Sequence, residues 1–128
     1  NGHCLCTAVQ FEINKPTLWC AHCHCKMCQA AHGSGVVTWV GCDEKAVEIE
    51  DGDNKLRWFQ SSDEAERGFC SGCGSPIFFR STRWPGELHI ARALVSGELD
   101  REPGGHSHFD SHVNWMMLQD DLPGKSNG

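Results

Sequence analysis

The sequence predicts a mostly β domain of short antiparallel strands with little helix, stabilised in part by bound metal. Stretches of alternating apolar and polar residues recur along the chain, and turns rich in glycine separate them. Nine of the 128 residues are cysteines, which leaves a thin aliphatic and aromatic core and many potential metal ligands. At this length we expect a single zinc-binding domain that spans residues 1–128.

The predicted strands begin near the start of the chain. Val9, Phe11 and Ile13 alternate with polar residues, which indicates a strand with one buried face. The other predicted strands lie at 36–40, 47–50, 56–59, 77–79, 88–91 and 115–118. Turn-forming residues lie between several of them, at 51–54, 71–72, 84–86 and 103–105.

Only one stretch of the chain favours a helix. Residues 26–32 are compact helix-forming residues followed by Gly33, so we expect a short helix that ends there. This helix places Cys28 near its start, where the helix dipole favours a thiolate.

Charge and hydropathy exclude two classes of partner. The net charge is −6, and the lysines and arginines are scattered rather than gathered in a stripe, so we expect no nucleic-acid partner. No apolar run approaches the length of a membrane span, so we expect no membrane partner. Closely spaced cysteines are typical of metal ligands in a reducing compartment, which favours the cytoplasm.

Two cysteine pairs far apart in the sequence fit a closed metal site. Cys4 and Cys6 stand at the start of the chain, and Cys70 and Cys73 enclose a turn that contains Gly72. Four thiolates make the closed tetrahedral set of a structural zinc, and the glycine lets the backbone curl around the ion. Iron–sulfur ligation is the competing interpretation, but such clusters use other spacings. The odd number of cysteines argues against a complete disulfide framework.

A second cluster of cysteines lies between residues 20 and 28. One interpretation is a closed site made by Cys20, Cys23, Cys25 and Cys28, and the other omits Cys20 and leaves the fourth position open. An open position distinguishes a catalytic zinc from a structural one, and the spacing alone leaves both interpretations standing. Zinc held by three thiolates is electron-rich and weakly Lewis-acidic, so it suits thiol capture better than hydrolysis.

Three motifs occur in a characteristic order. Residues 2–11 read Gly-x-Cys-x-Cys-x-x-Val-x-Phe, residues 23–28 read Cys-His-Cys-x-x-Cys, and residues 69–75 read Phe-Cys-x-x-Cys-Gly-Ser. In these motifs the chain resembles the glutathione-dependent formaldehyde-activating enzyme family, which also includes centromere protein V. Residues nearer the C-terminus also fit the family pattern, namely Gly97, Leu99, Asp100, His106, Trp115 and 121–123.

The resemblance implies a β-tent fold with two zinc ions in each chain. The structural zinc would be bound by Cys4, Cys6, Cys70 and Cys73. The catalytic zinc would be bound by Cys23, Cys25 and Cys28, which favours the open form of the second site. The implied activity is that of a carbon–sulfur lyase, which joins glutathione and formaldehyde to S-hydroxymethylglutathione or acts on a related small thiol and aldehyde. The alternative is a non-catalytic zinc module for protein interaction, in which Cys20 closes the second site.

The sequence offers more than one interpretation for the histidines at 106–112 and for His24. The alternating residues His106, His108, Asp110 and His112 are interpreted as an exposed polar loop in preference to a ligand-facing edge. His24 is either a hydrogen-bond partner of a metal-bound sulfur or substrate, or a surface imidazole between two ligands.

Other residues are candidates for the walls and anchors of a pocket. Trp19 and Trp115 are candidates for its aromatic walls near the second zinc. Glutathione carries two carboxylates, so it requires basic anchors, for which the candidates are Lys26, Arg80 and Arg92. Cys42 is expected to be a small buried hydrophobic residue.

Overall fold

The computed structural model of the chain describes residues 1–125 and confirms the mostly β prediction. The strands are β1 Gly2–His3, β2 Gln10–Ile13, β3 Trp19–Cys23, β4 Val37–Asp43, β5 Val47–Glu50, β6 Leu56–Gln60, β7 Ala65–Cys70, β8 Pro76–Ser81, β9 Glu87–Ala91 and β10 His106–Ser107. One α-helix, α1, spans Lys26–His32 within the described part of the chain, as the sequence predicts. None of the helices in residues 1–125 combines the length and the apolar character needed to cross a membrane.

The strands form a small sheet and a large sheet. The small sheet has the order β1-β2-β5, and the large sheet has the order β10-β3-β4-β9-β8-β7-β6. Neighbouring strands are antiparallel except at one edge, where β10 pairs with β3 in parallel. The two sheets pack through a first core, in which the rings of Phe11 and Phe78 lie 5.7 Å apart.

The central strands of the large sheet face two different cores because their side chains alternate between the two faces. Val40 of β4 belongs to the first core, whereas Trp39 belongs to a second core on the opposite face. On β3, Cys20 belongs to the first core and Cys23 to the second. The large sheet therefore separates the side chain of Cys20 from that of Cys23.

The strand predictions need correction in both directions. Residues 115–118 form no strand, and the side chains of Trp115 and Met117 are 69% and 82% exposed. An apolar run becomes a strand only where a neighbouring strand can accept its backbone hydrogen bonds, and this run has none. Conversely, β3 and β7 form strands although they lack the alternation of apolar and polar residues.

Gly41 on β4 allows the close approach of an indole ring. It pairs with Trp19 of β3 on one side and with His89 of β9 on the other, and a Cβ at this position would overlap the Trp19 ring. The absence of a side chain at Gly41 thus lets Trp19 lie across the sheet toward β9.

We expect Gly41→Ala to lower the free energy of unfolding by about 1–3 kcal/mol, the usual cost of overpacking. Chemical denaturation of the metal-loaded protein measures the effect. Gly52→Ala is the matched control, because a Cβ at Gly52 meets no atom within 4 Å. Equal stability of both variants would show that the Trp19 ring does not depend on the space above Gly41.

Candidate metal centres and the adjoining cavity

The four cysteines of the first predicted site lie together. The sulfur atoms of Cys4, Cys6, Cys70 and Cys73 are all within 4.8 Å of one another. The Cys4–Cys6 and Cys6–Cys70 sulfur pairs are each 3.7 Å apart. Two sulfurs about 2.3 Å from one tetrahedral zinc lie about 3.8 Å apart, whereas a disulfide needs about 2.05 Å. This group therefore has the spacing of a closed four-thiolate zinc site.

Local backbone turns arrange these sulfurs. Thr7 adopts a left-handed conformation with φ of 66°, and the turn it makes brings the N–H of Val9 to 3.4 Å from the Cys4 sulfur. Gly74, with φ of 80°, donates its N–H to the carbonyl oxygen of Cys70 over 2.7 Å. Glycine adopts this backbone conformation without strain, as a cysteine knuckle requires.

Ser75 links the two halves of the first site. Its hydroxyl oxygen accepts the N–H of Leu5 over 3.0 Å and lies 3.2 Å from the sulfur of Cys73. Hydrogen bonding from Ser75 lowers the pKa of Cys73 to about 5, which favours the thiolate that a metal binds.

The second group contains three sulfurs, those of Cys23, Cys25 and Cys28, again within 4.8 Å of one another. Cys23 ends β3, Cys25 caps the N-terminus of α1, and Cys28 lies in its first turn. The N–H of Cys28 donates to the Cys25 sulfur over 3.2 Å, and the Cys23 and Cys28 sulfurs are 3.7 Å apart. Hydrogen bonds from the Cys23 and Cys25 thiols, together with the Arg67 guanidinium, lower the pKa of Cys28 to about 2.

Cys20 does not join the second group. It lies in the first core, 5% exposed, while Cys23 lies three residues later on the opposite face of β3. Burial raises the pKa of the Cys20 thiol, which disfavours the thiolate. Cys42 is fully buried in the same first core, and burial raises the pKa of its thiol to about 11.

Both cysteine groups could hold a metal ion, and the donor set is compatible with zinc. Thiolate sulfur is a soft donor, so sites of this composition select zinc or iron–sulfur centres over magnesium or calcium. In the first group the backbone turns and the sulfur spacing fit a tetrahedral ion. In the second group the same spacing fits three of the four corners of such an ion.

Arg67 is a cationic neighbour of the second group that the sequence analysis missed. Its Nη1 and Nη2 atoms both lie 3.6 Å from the sulfur of Cys28, and its guanidinium carbon lies 5.0 Å from the centre of the Phe79 ring. The residue lies on β7, a strand that the hydrophobic pattern did not indicate. A positive charge here partly offsets the negative charge that three thiolates would place on a divalent ion.

A cavity of about 880 Å³ adjoins the second group. Its lining includes Cys23, Cys25 and Cys28. One row of paired residues crosses five strands on this face of the large sheet: Trp19, Gly41, His89, Phe79 and Arg67. The cavity thus extends over the sheet from the cysteines toward β9.

Some of the residues considered for the walls and anchors line this cavity, and others lie elsewhere. Trp19 lines it, but Trp115 does not, and further walls come from Trp39, Phe79 and Trp84. Lys26 lines it as well. Arg80 instead pairs with Glu66, and Arg92 donates to the carbonyl oxygens of Val95 and Gly97.

The charged residues of the lining favour anions. The cationic ones are Lys26, Arg67, Arg83 and Lys125, and the carboxylates are Glu64 and Glu87. A chain with a net charge of −6 therefore has a cavity with a small excess of positive charge.

A buried histidine network adjoins the second cysteine group, because His24 lies between Cys23 and Cys25 in the sequence. His24 is 4% exposed, and its Nε2 lies 2.8 Å from Nδ1 of His106, whose Nε2 lies 2.9 Å from the Asp120 carboxylate. The carboxylate fixes the proton of His106 on Nε2, so Nδ1 of His106 accepts the Nε2–H of His24. The surface role considered for His24 and the exposed-loop interpretation of His106 are therefore wrong.

Parallel pairing explains the burial of His106. His106 pairs with His22 across β10 and β3, which brings the C-terminal segment onto the edge of the large sheet. His112 remains exposed and stacks on Phe109 with ring centroids 4.3 Å apart.

Comparison with known proteins is consistent with these features. Residues 1–111 match the family model described as glutathione-dependent formaldehyde-activating enzyme. A protein of Halomonas elongata, provisionally named as such an enzyme, is 25% identical over 125 residues, covering 92% of this chain and 80% of the relative. A protein of Schizosaccharomyces pombe named as an uncharacterised lyase is 32% identical over 98 residues, covering 75% of this chain and 68% of the relative.

The fold also matches a solved structure. A crystal structure of a Rhodobacter sphaeroides protein, determined as a structural genomics target, superposes with a TM-score of 0.64. It is 20% identical to this chain, and the match covers 96% of this chain and 97% of the other. The family model covers most of the chain, including all seven cysteines of the two groups. The chain belongs to the glutathione-dependent formaldehyde-activating enzyme family.

Proposed function

We propose that this protein is a zinc-dependent carbon–sulfur lyase that joins glutathione and formaldehyde to S-hydroxymethylglutathione and catalyses the reverse reaction. One observation carries the proposal: the second cysteine group has three sulfurs and opens on a large cavity. Among residues 1–125, no fourth Cys, His, Asp or Glu donor joins these three sulfurs. A metal centre with an open position beside a cavity is the usual arrangement of a catalytic site.

The two cysteine groups have different roles in this proposal. The first, at Cys4, Cys6, Cys70 and Cys73, holds a structural zinc. The second, at Cys23, Cys25 and Cys28, holds the catalytic zinc, which when bound supplies an open position that favours the deprotonated form of an incoming thiol.

The cavity residues bind and orient the substrates. The cationic side chains of Lys26 and Arg67 attract a carboxylate of glutathione, and Arg67 also holds the sulfur of Cys28. The aromatic side chains of Trp39 and Phe79 exclude water from the space above the cysteines, which strengthens these charge interactions.

The reaction is an addition that needs no oxidant or reductant. A bond forms between the sulfur of glutathione and the carbon of formaldehyde, and the π bond of the carbonyl group breaks. The proton lost from the thiol ends on the new hydroxyl oxygen. The chain must therefore bring two small molecules together in one orientation, which is a task that a preformed cavity performs.

The proposal predicts faster exchange between formaldehyde, glutathione and their adduct. Exchange spectroscopy by NMR with micromolar metal-loaded protein should show a rate above that of the uncatalysed mixture at the same pH. The expected increase is specific to thiol adducts, so adducts of formaldehyde with an amine serve as the control. An exchange rate equal to that of the uncatalysed mixture would contradict the proposed activity.

A further inference from the structure

A fixed carboxylate lies in the cavity on the side away from the cysteine group. Oε1 of Glu87 accepts the indole N–H of Trp19 over 3.1 Å and lies 3.0 Å from Nε2 of His89. All three residues line the cavity. Two hydrogen bonds to a single oxygen atom hold the Glu87 side chain in one orientation.

Within residues 1–125, no lysine or arginine forms an ion pair with Glu87. His89 is 5% exposed, and burial lowers its pKa, so the imidazole is neutral near pH 7 and donates its Nε2–H. Among residues 1–125, the second carboxylate oxygen, Oε2, makes no hydrogen bond and no ion pair. This oxygen is free to bind a cation that enters the cavity.

Two indole rings pack against His89, which is one of the hydrogen-bond partners of this carboxylate. The ring of His89 lies 4.6 Å from that of Trp19 and 5.5 Å from that of Trp84, measured between centroids. Indole faces attract cations through their quadrupole, and the attraction is strongest where water is excluded. A carboxylate that accepts the indole N–H of Trp19 and lies beside the ring cluster of Trp19, His89 and Trp84 is therefore suited to an ammonium group.

The geometry of β3 indicates how far this carboxylate lies from the second cysteine group. Trp19 and Cys23 lie at opposite ends of β3 on the same face, which separates their backbones by about 13 Å. A ligand whose sulfur lies at Cys23, Cys25 and Cys28 reaches Glu87 only through an extended arm. A compact aminothiol is too short.

We propose that Glu87 binds the ammonium group of the thiol substrate and selects thiols that carry a free amino group on an extended arm. This inference rests on the proposed function for the placement of the thiol. Arg83 lines the same part of the cavity, with its guanidinium carbon 4.7 Å from the Trp84 ring, and supplies a partner for a carboxylate on the same arm. The substrate class is thus a peptide-like thiol that ends in an amino-acid head group.

Binding of non-reactive ligands tests this selectivity without relying on catalysis. In the N-acetyl derivative of S-methylglutathione a neutral acetamide replaces the ammonium group, and in both ligands the S-methyl group prevents adduct formation. Titration calorimetry with metal-loaded protein should show tighter binding of the free amine by roughly tenfold or more, as expected for a charge-assisted hydrogen bond. In Glu87→Gln, which keeps the shape of the side chain, the two dissociation constants should become nearly equal.

A second carboxylate of the cavity provides the matched control. Glu64→Gln removes the same charge from the same cavity, but Glu64 is exposed, and the hydrogen bonds to Trp19 and His89 are made by Glu87 instead. The tenfold preference should persist in this variant. Equal affinity of the wild-type protein for the two ligands, or a preference that survives Glu87→Gln, would overturn the inference.

The inference and the proposed function fail in different ways. A preference for the free amine without faster adduct exchange would remove the proposed activity and leave the role of Glu87 standing. Faster exchange with equal use of glutathione and its N-acetyl derivative would support the proposed activity and remove the role of Glu87. If Glu87→Gln fails to fold, the comparison of the two ligands on the wild-type protein still decides the question.

Discussion

Cys70→Ala is expected to abolish the cooperative unfolding transition of this protein. The Cys70 sulfur is fully buried and lies within 4.8 Å of the other three sulfurs of the first group. Structural zinc supplies roughly 10–16 kcal/mol of apparent binding free energy in small domains, and whole domains are stable by only about 5–15 kcal/mol. Loss of one of four ligands removes enough of this energy to unfold the chain. Circular dichroism during heating, with metal content measured on the same sample, tests the expectation.

Cys42→Ala is the matched control because it removes an equally buried sulfur from the same first core. This variant should retain both metals and lose only about 1 kcal/mol, as is usual for a small truncation in a core. A Cys70→Ala protein that melts as cooperatively as Cys42→Ala would show that the first core holds the fold without the metal.

The arrangement of the two sheets is the physical reason to expect a large effect of the first group on stability. Cys4 and Cys6 follow a strand of the small sheet, whereas Cys70 ends a strand of the large one. An ion held by all four sulfurs would therefore join the two sheets in addition to the Phe11–Phe78 contact of the first core. Closing the long loop between Cys6 and Cys70 also reduces the conformational entropy of the unfolded chain.

The sequence predicts the elements that show a regular hydrophobic pattern or a compact run of helix-forming residues. β2 and β5 alternate between apolar and polar residues and were expected, and the compact stretch at α1 was expected for its helix propensity. The two cysteine groups were also predictable, since short spacings restrict which thiols can reach one ion.

Two strands that the pattern does not predict, β3 and β7, carry several of the side chains that line the cavity. β3 contributes Cys23 and Trp19 to it, and β7 contributes Arg67, so polar and metal-ligating residues occupy positions where a structural strand would place apolar ones. Hydrophobic periodicity cannot reveal such strands. The burial of His106 was missed for another reason, because its pairing with His22 joins residues that are far apart in the sequence.

The division of the large sheet into two faces separates Cys20 from the second group. Sequence spacing alone allowed Cys20 to close that site, because three residues is a short distance along any chain. On a strand, however, residues separated by an odd number of positions point to opposite faces. The extended conformation of β3 therefore excludes Cys20 from the group unless the strand itself is broken.

Cys28→Ala is expected to remove the second metal and the activity while leaving the fold intact. Cys28 lies at the short contact with Cys23 and receives both Nη atoms of Arg67, so its loss leaves two sulfurs that cannot hold the ion firmly. Metal content measured by mass spectrometry should fall from two ions to one per chain. The rate of adduct exchange should fall more than about a hundredfold, since even outer partners of a catalytic metal contribute roughly 10–100-fold.

Cys20→Ala provides the decisive comparison, because it removes a buried thiol eight positions earlier from the same cysteine-rich segment. We expect this variant to keep two metals and an exchange rate within about twofold of the wild-type rate, with a loss of stability of about 1 kcal/mol from the first core. Loss of one metal in Cys20→Ala would mean that Cys20 closes the second site and that the chain is a zinc module without catalytic function. Retention of both metals in Cys28→Ala would show that the three-sulfur group is not a metal site. The thiols of Cys20 and Cys28 lie on opposite sides of the large sheet. The geometry of β3 therefore predicts opposite outcomes for Cys20→Ala and Cys28→Ala, which sequence spacing does not.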